Sequence, residues 1–259
     1  MKFHMYGTCA GTEPLRGWRH LSFSIERNGL QYFFDAGESC AYNAYINGID
    51  VAKTRRVVIS HTHMDHVGGL ANLLWYVRKL DWHKYSEPCP HIDIHIPNLE
   101  TYEGIMKILK NTEGNFVCNF EIEPHQVYDG LVFEDENFRV TAYHNTHLPH
   151  AEGEDWRSFG YLIEGDGKKV FFTGDYGKVS DFADILKENE IDLLLIETGH
   201  HSSEKTANTL KEAGVCPKML GYIHNGEDVR NDPENAIRVT EQILGTKVVV
   251  FTDNMDFEL

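Results

Sequence analysis

The chain has 259 residues, of which 41% are hydrophobic and 25% charged, and this suits a globular protein with a sizeable core. Its formal net charge of −16 opposes binding to nucleic-acid phosphates or anionic membranes unless a local basic patch or a bound metal reverses the field. No apolar run approaches the ~20 residues of a membrane-spanning helix, and the first residues lack the apolar core of a secretory signal. Five dispersed cysteines without a CxxC pair indicate reduced thiols, so the sequence predicts a cytoplasmic protein.

Short runs rich in β-branched and aromatic residues, bounded by Gly, Asn or Asp, recur along the chain and predict strands. They lie at 2–7, 21–27, 30–37, 55–60, 91–96, 138–145, 159–165, 168–175, 191–197, 218–224 and 247–252. Apolar residues at helical spacing predict helices between several of these strands. The predicted helices lie at 67–80, 98–111, 178–189, 203–213 and 232–244. The last of them opens with Asp232 as its cap and Pro233 in its first turn.

This order of elements predicts an α/β fold of layered mixed sheets, in a single domain that spans residues 1–259. The segment EPCPHIDIHIP, residues 87–97, is predicted to be an internal loop or insertion. Within it, His91, Asp93 and His95 alternate along HIDIHI and would share one strand face. They could bind a metal, but the solvated face of an amphipathic strand is the favoured interpretation.

Four candidate metal ligands crowd the stretch SHTHMDHVGG, residues 60–69. They are His61, His63, Asp65 and His66. The stretch follows the apolar run VVI and precedes a predicted helix, so these side chains lie at the carboxyl end of a strand, where α/β sheets place ligands. Imidazole nitrogens and a carboxylate oxygen suit zinc and similar divalent ions. The first two histidines can face one ion, and the adjacent aspartate and histidine can reach a second.

Two metal shells need further ligands, and three later stretches supply candidates, each just after an apolar strand. TAYHNTHLPH offers His144, His147 and His150, of which His147 is best placed and His144 is the alternative. FFTGD ends in Asp175, whose carboxylate could bridge two cations and offset their repulsion. MLGYIH ends in His224. The repeated placement of these residues at strand ends predicts a dinuclear site.

Two other polar stretches carry further candidate residues. ETGHHSSEKT holds Glu197, His200 and His201 just past the predicted strand IDLLLI. One of the two histidines could donate a proton to a leaving group, although a helix-capping loop explains the segment almost as well. The glycine-rich GTCAGTEP, residues 7–14, lacks the GK[ST] ending of a P-loop but could offer backbone amides to an anion.

These motifs resemble the metallo-β-lactamase-fold hydrolases, whose hallmark HxHxDH corresponds to residues 61–66. The later histidine, the Gly-Asp pair and the strand-terminal histidine follow in the order of that family. The resemblance implies an αββα sandwich of two mixed sheets flanked by helices. Within the superfamily, GTCAGTEP, SFGYLIE and FFTGD resemble the ribonuclease Z and phosphodiesterase-like branch.

The resemblance also implies a ligand set and two divalent ions, zinc in the first place, with manganese or iron as alternatives. The pattern carries over as His61, His63 and His147 on one metal, Asp65, His66 and His224 on the other, and Asp175 bridging the two. Glu197 falls where the branch often has a glutamate near its proton-donating histidine, which favours His200 or His201 for that role. Tyr176 is a departure, because it follows Gly-Asp where a small hydroxyl residue is common.

The predicted function is that of a dinuclear metal-dependent hydrolase, which uses a metal-bridging hydroxide on a phosphodiester in a small-molecule or nucleotide-like substrate. Asp65 would bind metal and also hold that hydroxide. The alternatives are a lactone or thioester hydrolase of the same fold, a tRNA 3′-processing endonuclease, and a non-catalytic metal-binding sensor. Because of the acidic charge, the sequence predicts no extended nucleic-acid surface and no membrane partner, and it leaves a homodimer open.

Overall fold

The computed structural model describes residues 1–11 and 15–259. The end of the GTCAGTEP loop, residues 12–14, lies outside the described residues, so its anion contact stays a prediction. The described chain forms two compact units, an N-terminal unit and a C-terminal unit. The first holds Met1–Gly7, 15–127 and Asp253–Glu258, and the second holds 8–11, Tyr128–Thr252 and Leu259. Across the described part of the chain, no helix combines the length and the apolar character that crossing a membrane requires.

The N-terminal unit is built on a seven-stranded mixed sheet. In chain order its strands are β1 (Lys2–Gly7), β2 (Ser22–Arg27), β3 (Leu30–Phe34), β4 (Thr54–Val58), β5 (His91–Ile96), β6 (Glu121–Gln126) and, near the end of the chain, β14 (Asp256–Glu258). Across the sheet the order is β14-β1-β2-β3-β4-β5-β6. Strands β14 to β3 pair antiparallel, and β3 to β6 pair parallel. The carboxyl ends of β3, β4, β5 and β6 therefore meet at one sheet edge.

Helices cover this sheet with an apolar face. They are α1 (Cys40–Ile46), α2 (Met64–Val67), α3 (Leu70–Trp82) and α4 (Leu99–Lys110). Leu73 and Val77 of α3 pack in one buried cluster with Val57 of β4 and Ile94 of β5. The predicted helix 67–80 therefore exists but begins at residue 70. Between α2 and α3 the backbone passes so close to its neighbours that a Cβ at Gly69 would lie 2.2 Å from a carbonyl oxygen, which explains the second glycine of the motif.

The C-terminal unit has a second seven-stranded mixed sheet. Its strands are β7 (Gly130–Glu134), β8 (Arg139–His144), β9 (Phe159–Gly165), β10 (Lys168–Phe172), β11 (Leu193–Glu197), β12 (Met219–Ile223) and β13 (Lys247–Val250). Its order is β13-β12-β11-β10-β9-β8-β7, antiparallel from β7 to β10 and parallel from β10 to β13. Its helices are α5 (Ala183–Glu188), α6 (Ser203–Glu212), α7 (Glu227–Asn231) and α8 (Pro233–Leu244). Two mixed sheets with helices confirm the predicted α/β class.

The cap of α8 is as predicted, since Asp232 accepts a hydrogen bond from the amide of Asn235 and proline opens the helix. The predicted helix 178–189 is shorter in the structure, because a 3₁₀ turn at Val179–Asp181 precedes α5. Helices α1, α2 and α7 and strands β6, β7 and β14 were not predicted. These elements are short, and each lacks a clear period of buried apolar residues.

The prediction that residues 87–97 form a loop or insertion is wrong. Most of the segment is β5, which pairs parallel with β4 on one side and with β6 on the other. The predicted solvated face is also wrong, because Asp93 is 5% exposed and His95 is 3% exposed. Hydrogen bonds reach the Asp93 carboxylate from Arg55, Arg56, His91 and His125. The alternation of polar and apolar residues in a sequence shows that one face of a strand is polar. It does not show whether that face is solvated or forms a buried polar network.

Burial of His95 predicts a pH-dependent stability. Desolvation, helped by the Arg56 guanidinium 3.2 Å away, lowers the pKa of His95 to about 3. In the unfolded chain the same imidazole takes up a proton near pH 6.5. Since the folded pKa is the lower one, the free energy of unfolding falls as pH drops below about 6.5, by up to ~1.4 kcal/mol per pH unit for this one proton.

The His95→Gln variant is therefore expected to give a flatter pH dependence of the unfolding free energy between about pH 6.5 and 4.5. Urea denaturation of the metal-free protein at several pH values measures it. The exposed His83→Gln variant is the control and should keep the wild-type slope. An unchanged slope in His95→Gln would contradict the assignment.

Candidate metal centre

In the N-terminal unit, the four residues of the HxHxDH motif lie together just past the end of β4. His61 and His66 are completely buried. The ring centroid of His61 lies 4.5 Å from that of His63 and 4.0 Å from that of His66. Asp65 approaches the same group, with Oδ2 3.3 Å from Nε2 of His66. The sequence predicted a loop for all four residues, but only His61 and His63 lie on the loop, whereas Asp65 and His66 belong to the short helix α2. The three imidazoles and the carboxylate nevertheless come together after one strand.

Asp35 anchors this cluster and was missed by the sequence analysis. Its fully buried carboxylate accepts hydrogen bonds from the backbone N–H of Ser60 at 2.6 Å and from its hydroxyl at 2.8 Å. The other contact of the carboxylate is with Nδ1 of His66, at 2.7 Å. A carboxylate on Nδ1 fixes the tautomer in which Nε2 is the ligand atom, as in many metal-binding histidines. The available signal was FFDAG, a strand ending in an aspartate, which parallels FFTGD.

In the C-terminal unit, a second cluster lies just past the ends of β10, β11 and β12. Asp175, Glu197 and His224 are each 1% exposed. Nδ1 of His224 lies 3.2 Å from Oδ1 of Asp175 and 3.7 Å from Oε2 of Glu197. Together with His200, these residues offer ligand atoms that all lie within 4.8 Å of one another. Two buried carboxylates so close together need a compensating positive charge, so this donor set fits a divalent cation.

A close backbone approach shapes this cluster. At Gly199, which follows β11, a Cβ would lie 2.8 Å from Nδ1 of His224. The glycine in ETGHH therefore makes room for the imidazole at the end of β12. The position of His224 therefore explains why residue 199 is a glycine, whereas the sequence alone suggested only a helix-capping loop there.

The structure separates the three histidines of TAYHNTHLPH. Nε2 of His147 lies 3.8 Å from Oδ2 of Asp175, at the cluster. His144, the alternative ligand, instead pairs through Nδ1 with Asp129 at 2.6 Å. His150 contacts the backbone carbonyl of Glu154 at 2.8 Å. Among these three, the geometry of the C-terminal unit brings only His147 next to Asp175.

The two histidines of ETGHH face different surroundings. Both the backbone N–H and Nδ1 of His200 bond the carboxylate of Glu197 at 2.9 Å. Burial raises the pKa of Glu197, but hydrogen bonds from His200 and His224 outweigh burial and hold the pKa at about 2. The resulting carboxylate raises the pKa of His200, whose side chain is 46% exposed. His201 turns toward Tyr176 instead, with ring centroids 4.8 Å apart.

A third His/carboxylate group, His91, Asp93 and Glu123, also has ligand atoms within 4.8 Å of one another. Two guanidinium groups already bind Asp93 there, with Nη1 of Arg55 at 2.8 Å and Nη1 of Arg56 at 2.5 Å. They neutralise the carboxylate and repel a further cation. This group is therefore better described as an ion-pair network than as a metal site.

The fold and the two clusters belong to a known class. A family model described as "Beta-lactamase superfamily domain" matches residues 32–252. The chain therefore belongs to the β-lactamase superfamily, which confirms the resemblance drawn from its motifs. Family membership, together with the buried His/Asp clusters, supports the binding of divalent metal ions.

The curated relatives place the chain near one branch of this superfamily. It is 30% identical to ribonuclease Z of Methanothermobacter thermautotrophicus over 144 residues, which cover 55% of this chain and 43% of that protein. It is 33% identical to ribonuclease Z of a Listeria monocytogenes strain over 169 residues, 63% of this chain and 49% of that protein. These matches thus span less than half the length of those relatives. A match to ribonuclease Z of Methanococcus aeolicus, 25% identical, covers 100% of this chain and 98% of that one.

Solved structures confirm the predicted metallo-β-lactamase fold. Human tRNase Z, short form, has a TM-score of 0.74 at 19% identity, covering 100% of this chain and 99% of that chain. The metallo-beta-lactamase fold protein YhfI from Bacillus subtilis has a TM-score of 0.75 at 16% identity, again over 100% and 99%.

These relatives correct one prediction. A small-molecule or nucleotide-like substrate was predicted, and an extended nucleic-acid surface was excluded on the basis of the −16 charge, but the relatives are named as ribonucleases, enzymes of a nucleic acid. The inference was wrong because net charge describes the whole surface. Contact with a phosphate backbone depends on local positive charge, including that of bound metal ions.

Proposed function

We propose that this protein is a metal-dependent phosphodiesterase that cleaves RNA, with precursor tRNA as its substrate class. The observation that carries the proposal is the cluster of Asp175, Glu197 and His224, which are buried, with the half-exposed His200, a donor set suited to a divalent cation. The similarity to proteins named ribonuclease Z favours a phosphodiester over a lactone or thioester. The activity of those relatives supports the same activity here.

We further propose that the two clusters hold a pair of ions, with zinc as the first candidate. The proposed ligands are His61, His63 and His147 for one ion, Asp65, His66 and His224 for the other, and Asp175 as the bridge. Three features support this set: the HxHxDH spacing, the orientation of His66 by Asp35, and the burial of Asp175 beside His224. Imidazole and carboxylate ligands also accept manganese or iron, which remain alternatives.

When bound, the ions supply Lewis-acid polarisation of the phosphodiester and a water that ionises near neutral pH. The protein's own residues do the rest of the chemistry. Asp65 accepts a hydrogen bond from the attacking water and so aims it at phosphorus. As the bond from phosphorus to the departing oxygen breaks, Nε2 of His200 gives that oxygen a proton. Glu197 acts on His200, because its bond to Nδ1 fixes the ring orientation and stabilises the protonated imidazole.

A cleavage assay tests the proposal directly. Precursor tRNA with a 3′ trailer, labelled at its 5′ end, is incubated with the full chain and added zinc or manganese. We expect one major cut near the junction of tRNA and trailer, which EDTA abolishes and added metal restores. Mature tRNA and an unstructured RNA of equal length are the controls. If a metal-replete protein cleaves none of these RNAs, the catalytic proposal fails and the metal-binding sensor is favoured.

Asp35 gives a prediction about metal affinity. The Asp35→Asn substitution keeps the size of the side chain but removes the charge that orients His66. Metal affinity is expected to fall about 10–100-fold, the usual effect of losing such a supporting carboxylate. Competition with a chromogenic chelator measures the affinity. Unchanged affinity in Asp35→Asn would show that His66 needs no support from this carboxylate.

A further inference from the structure

A small cleft lies beside Asp175 and His200, and the proposed chemistry leaves it without a role. Its volume is about 140 Å³, roughly ten times the ~10–15 Å³ that one water requires. One wall is the turn after β10, with Tyr176 and Lys178. The other wall is formed by His201, just before α6, and by Lys205, Thr206 and Thr209 of that helix. We call it the lysine cleft.

His201 brings an unused hydrogen-bonding group to this cleft. Both nitrogens of its imidazole are buried, and neither has a hydrogen-bond partner among residues 1–11 and 15–259. A neutral imidazole carries one N–H donor, and a buried donor without an acceptor costs free energy. The ring packs on Tyr176, whose hydroxyl lies 3.3 Å from Oγ1 of Thr206, so the wall behind it is fixed. His201 therefore places an unsatisfied donor just beneath the cleft wall, and a rotation of the ring would bring its N–H to an acceptor oxygen of a ligand in the cleft.

The cleft is also lined by two lysines, on a chain whose net charge is −16. Lys178 and Lys205 line opposite walls. The nearest carboxylate to Lys178 is Asp181, at 4.0 Å, and its other oxygen already accepts hydrogen bonds from Thr146. In the part of the chain that the structure describes, Lys205 forms no ion pair. Two lysines and the imidazole of His201 thus line one small space.

We propose that the lysine cleft binds a phosphate group of the RNA next to the one that is cleaved. The proposal rests on the proposed function, because it assumes that the scissile phosphate lies at the Asp175 and His200 cluster. Tyr176 and His201 directly follow those two residues in the chain, so the cleft opens beside the cluster. A phosphate suits it, since its oxygens accept the imidazole N–H and its charge pairs with both lysines. This also gives a role to Tyr176, the residue that departs from the family pattern.

The test compares short substrates that differ by one phosphate. A dinucleotide with a single phosphodiester is compared with the same dinucleotide carrying an added 5′-phosphate or an added 3′-phosphate. One of the two additions is expected to raise kcat/KM about tenfold in the metal-loaded wild type. Lys205→Met should reduce that gain to about twofold or less, whereas Lys211→Met should keep it. Lys211 is the matched control, because it lies on α6, is exposed and does not line the cleft.

The outcomes separate the two proposals. If the metal-loaded protein cleaves neither precursor tRNA nor these small substrates, the proposed function fails. If the small substrates are hydrolysed but neither added phosphate helps, or the gain survives both Lys178→Met and Lys205→Met, the lysine cleft proposal alone is overturned. Binding can also be followed without turnover, through the ring ¹⁵N signals of His201 in the zinc-loaded protein during titration with inorganic phosphate. The proposal is supported if phosphate shifts these signals in wild type and in Lys211→Met but shifts them less in Lys205→Met. If phosphate does not shift them in wild type, the proposal of a phosphate site in the lysine cleft is refuted.

Discussion

Replacing Asp65 with alanine is expected to lower the rate of RNA cleavage by about 10³-fold or more. The expectation follows from the two tasks assigned to this carboxylate, a metal ligand and the acceptor that aims the attacking water. Its side chain is 14% exposed and lies beside His66, so it can reach the reacting water without being part of the apolar core. Steady-state kinetics at saturating metal measures the effect. Retention of more than about a tenth of the wild-type rate would show that the role is wrongly assigned.

Two controls make the Asp65 result interpretable. Asp184→Ala removes an aspartate that pairs only at the surface, with Lys187 at 2.7 Å, and should leave the rate unchanged. Thermal denaturation of Asp65→Ala should show a folded protein, because the substitution removes a partly exposed polar side chain from the short helix α2 and leaves the apolar core unchanged. The metal content of Asp65→Ala is expected to fall as well. If the variant keeps its full metal content but loses activity, Asp65 positions the attacking water and is not a metal ligand.

Replacing His200 with alanine is expected to lower the rate about 10²–10⁴-fold on RNA, but far less on bis-p-nitrophenyl phosphate. The difference follows from the leaving groups, because a ribose oxygen must be protonated as it departs, whereas p-nitrophenolate leaves without a proton. His200 is the proposed donor because its Nδ1 is held by Glu197 while its side chain remains half-exposed, within reach of a substrate. The ratio of the two rates is therefore the diagnostic measurement, and equal losses on both substrates would contradict proton donation.

Glu197 and His201 supply the comparison for this experiment. Glu197→Gln keeps the size of the side chain but weakens the charge-assisted bond to His200, so it should reproduce the selective loss on RNA to a smaller extent. His201→Gln should not produce the His200 pattern, because its ring lies against Tyr176 and has no contact with Glu197 among its described interactions. A leaving-group-selective loss in His201→Gln of the size expected for His200 would transfer the donor role.

The positions of the candidate ligands at strand ends could be predicted from the sequence, because each has a strong local signal. HxHxDH, FFTGD and MLGYIH each join an apolar strand to a polar side chain, and parallel strands bring their carboxyl ends to one sheet edge. The structure accordingly collects His61, His63 and His66 after β4, and Asp175 with His224 after β10 and β12. Each of these patterns can be recognised from its own short stretch of sequence, without information about the rest of the chain.

Features that depend on distant partners could not be predicted in this way. Asp35 is one aspartate among many at a strand end, and its role appears only when His66 lies 2.7 Å away. The HIDIHI segment has the alternation of a solvated strand, yet Arg56 and His125 from neighbouring strands bury Asp93 in a network. The choice between His200 and His201 also depends on tertiary contacts, because adjacent residues share every local signal. The prediction that the protein has no extended nucleic-acid surface was wrong for a similar reason, since overall charge does not reveal local charge.

Metal content tests the central claim most directly, namely that these strand ends hold a pair of divalent cations. The full chain, purified without chelator, then stripped and reloaded with zinc, is measured by inductively coupled plasma mass spectrometry. We expect about two ions per chain in wild type and less than about one in a variant that lacks both Asp175 and His66. A folded wild-type protein that takes up no transition metal after reconstitution would contradict the account.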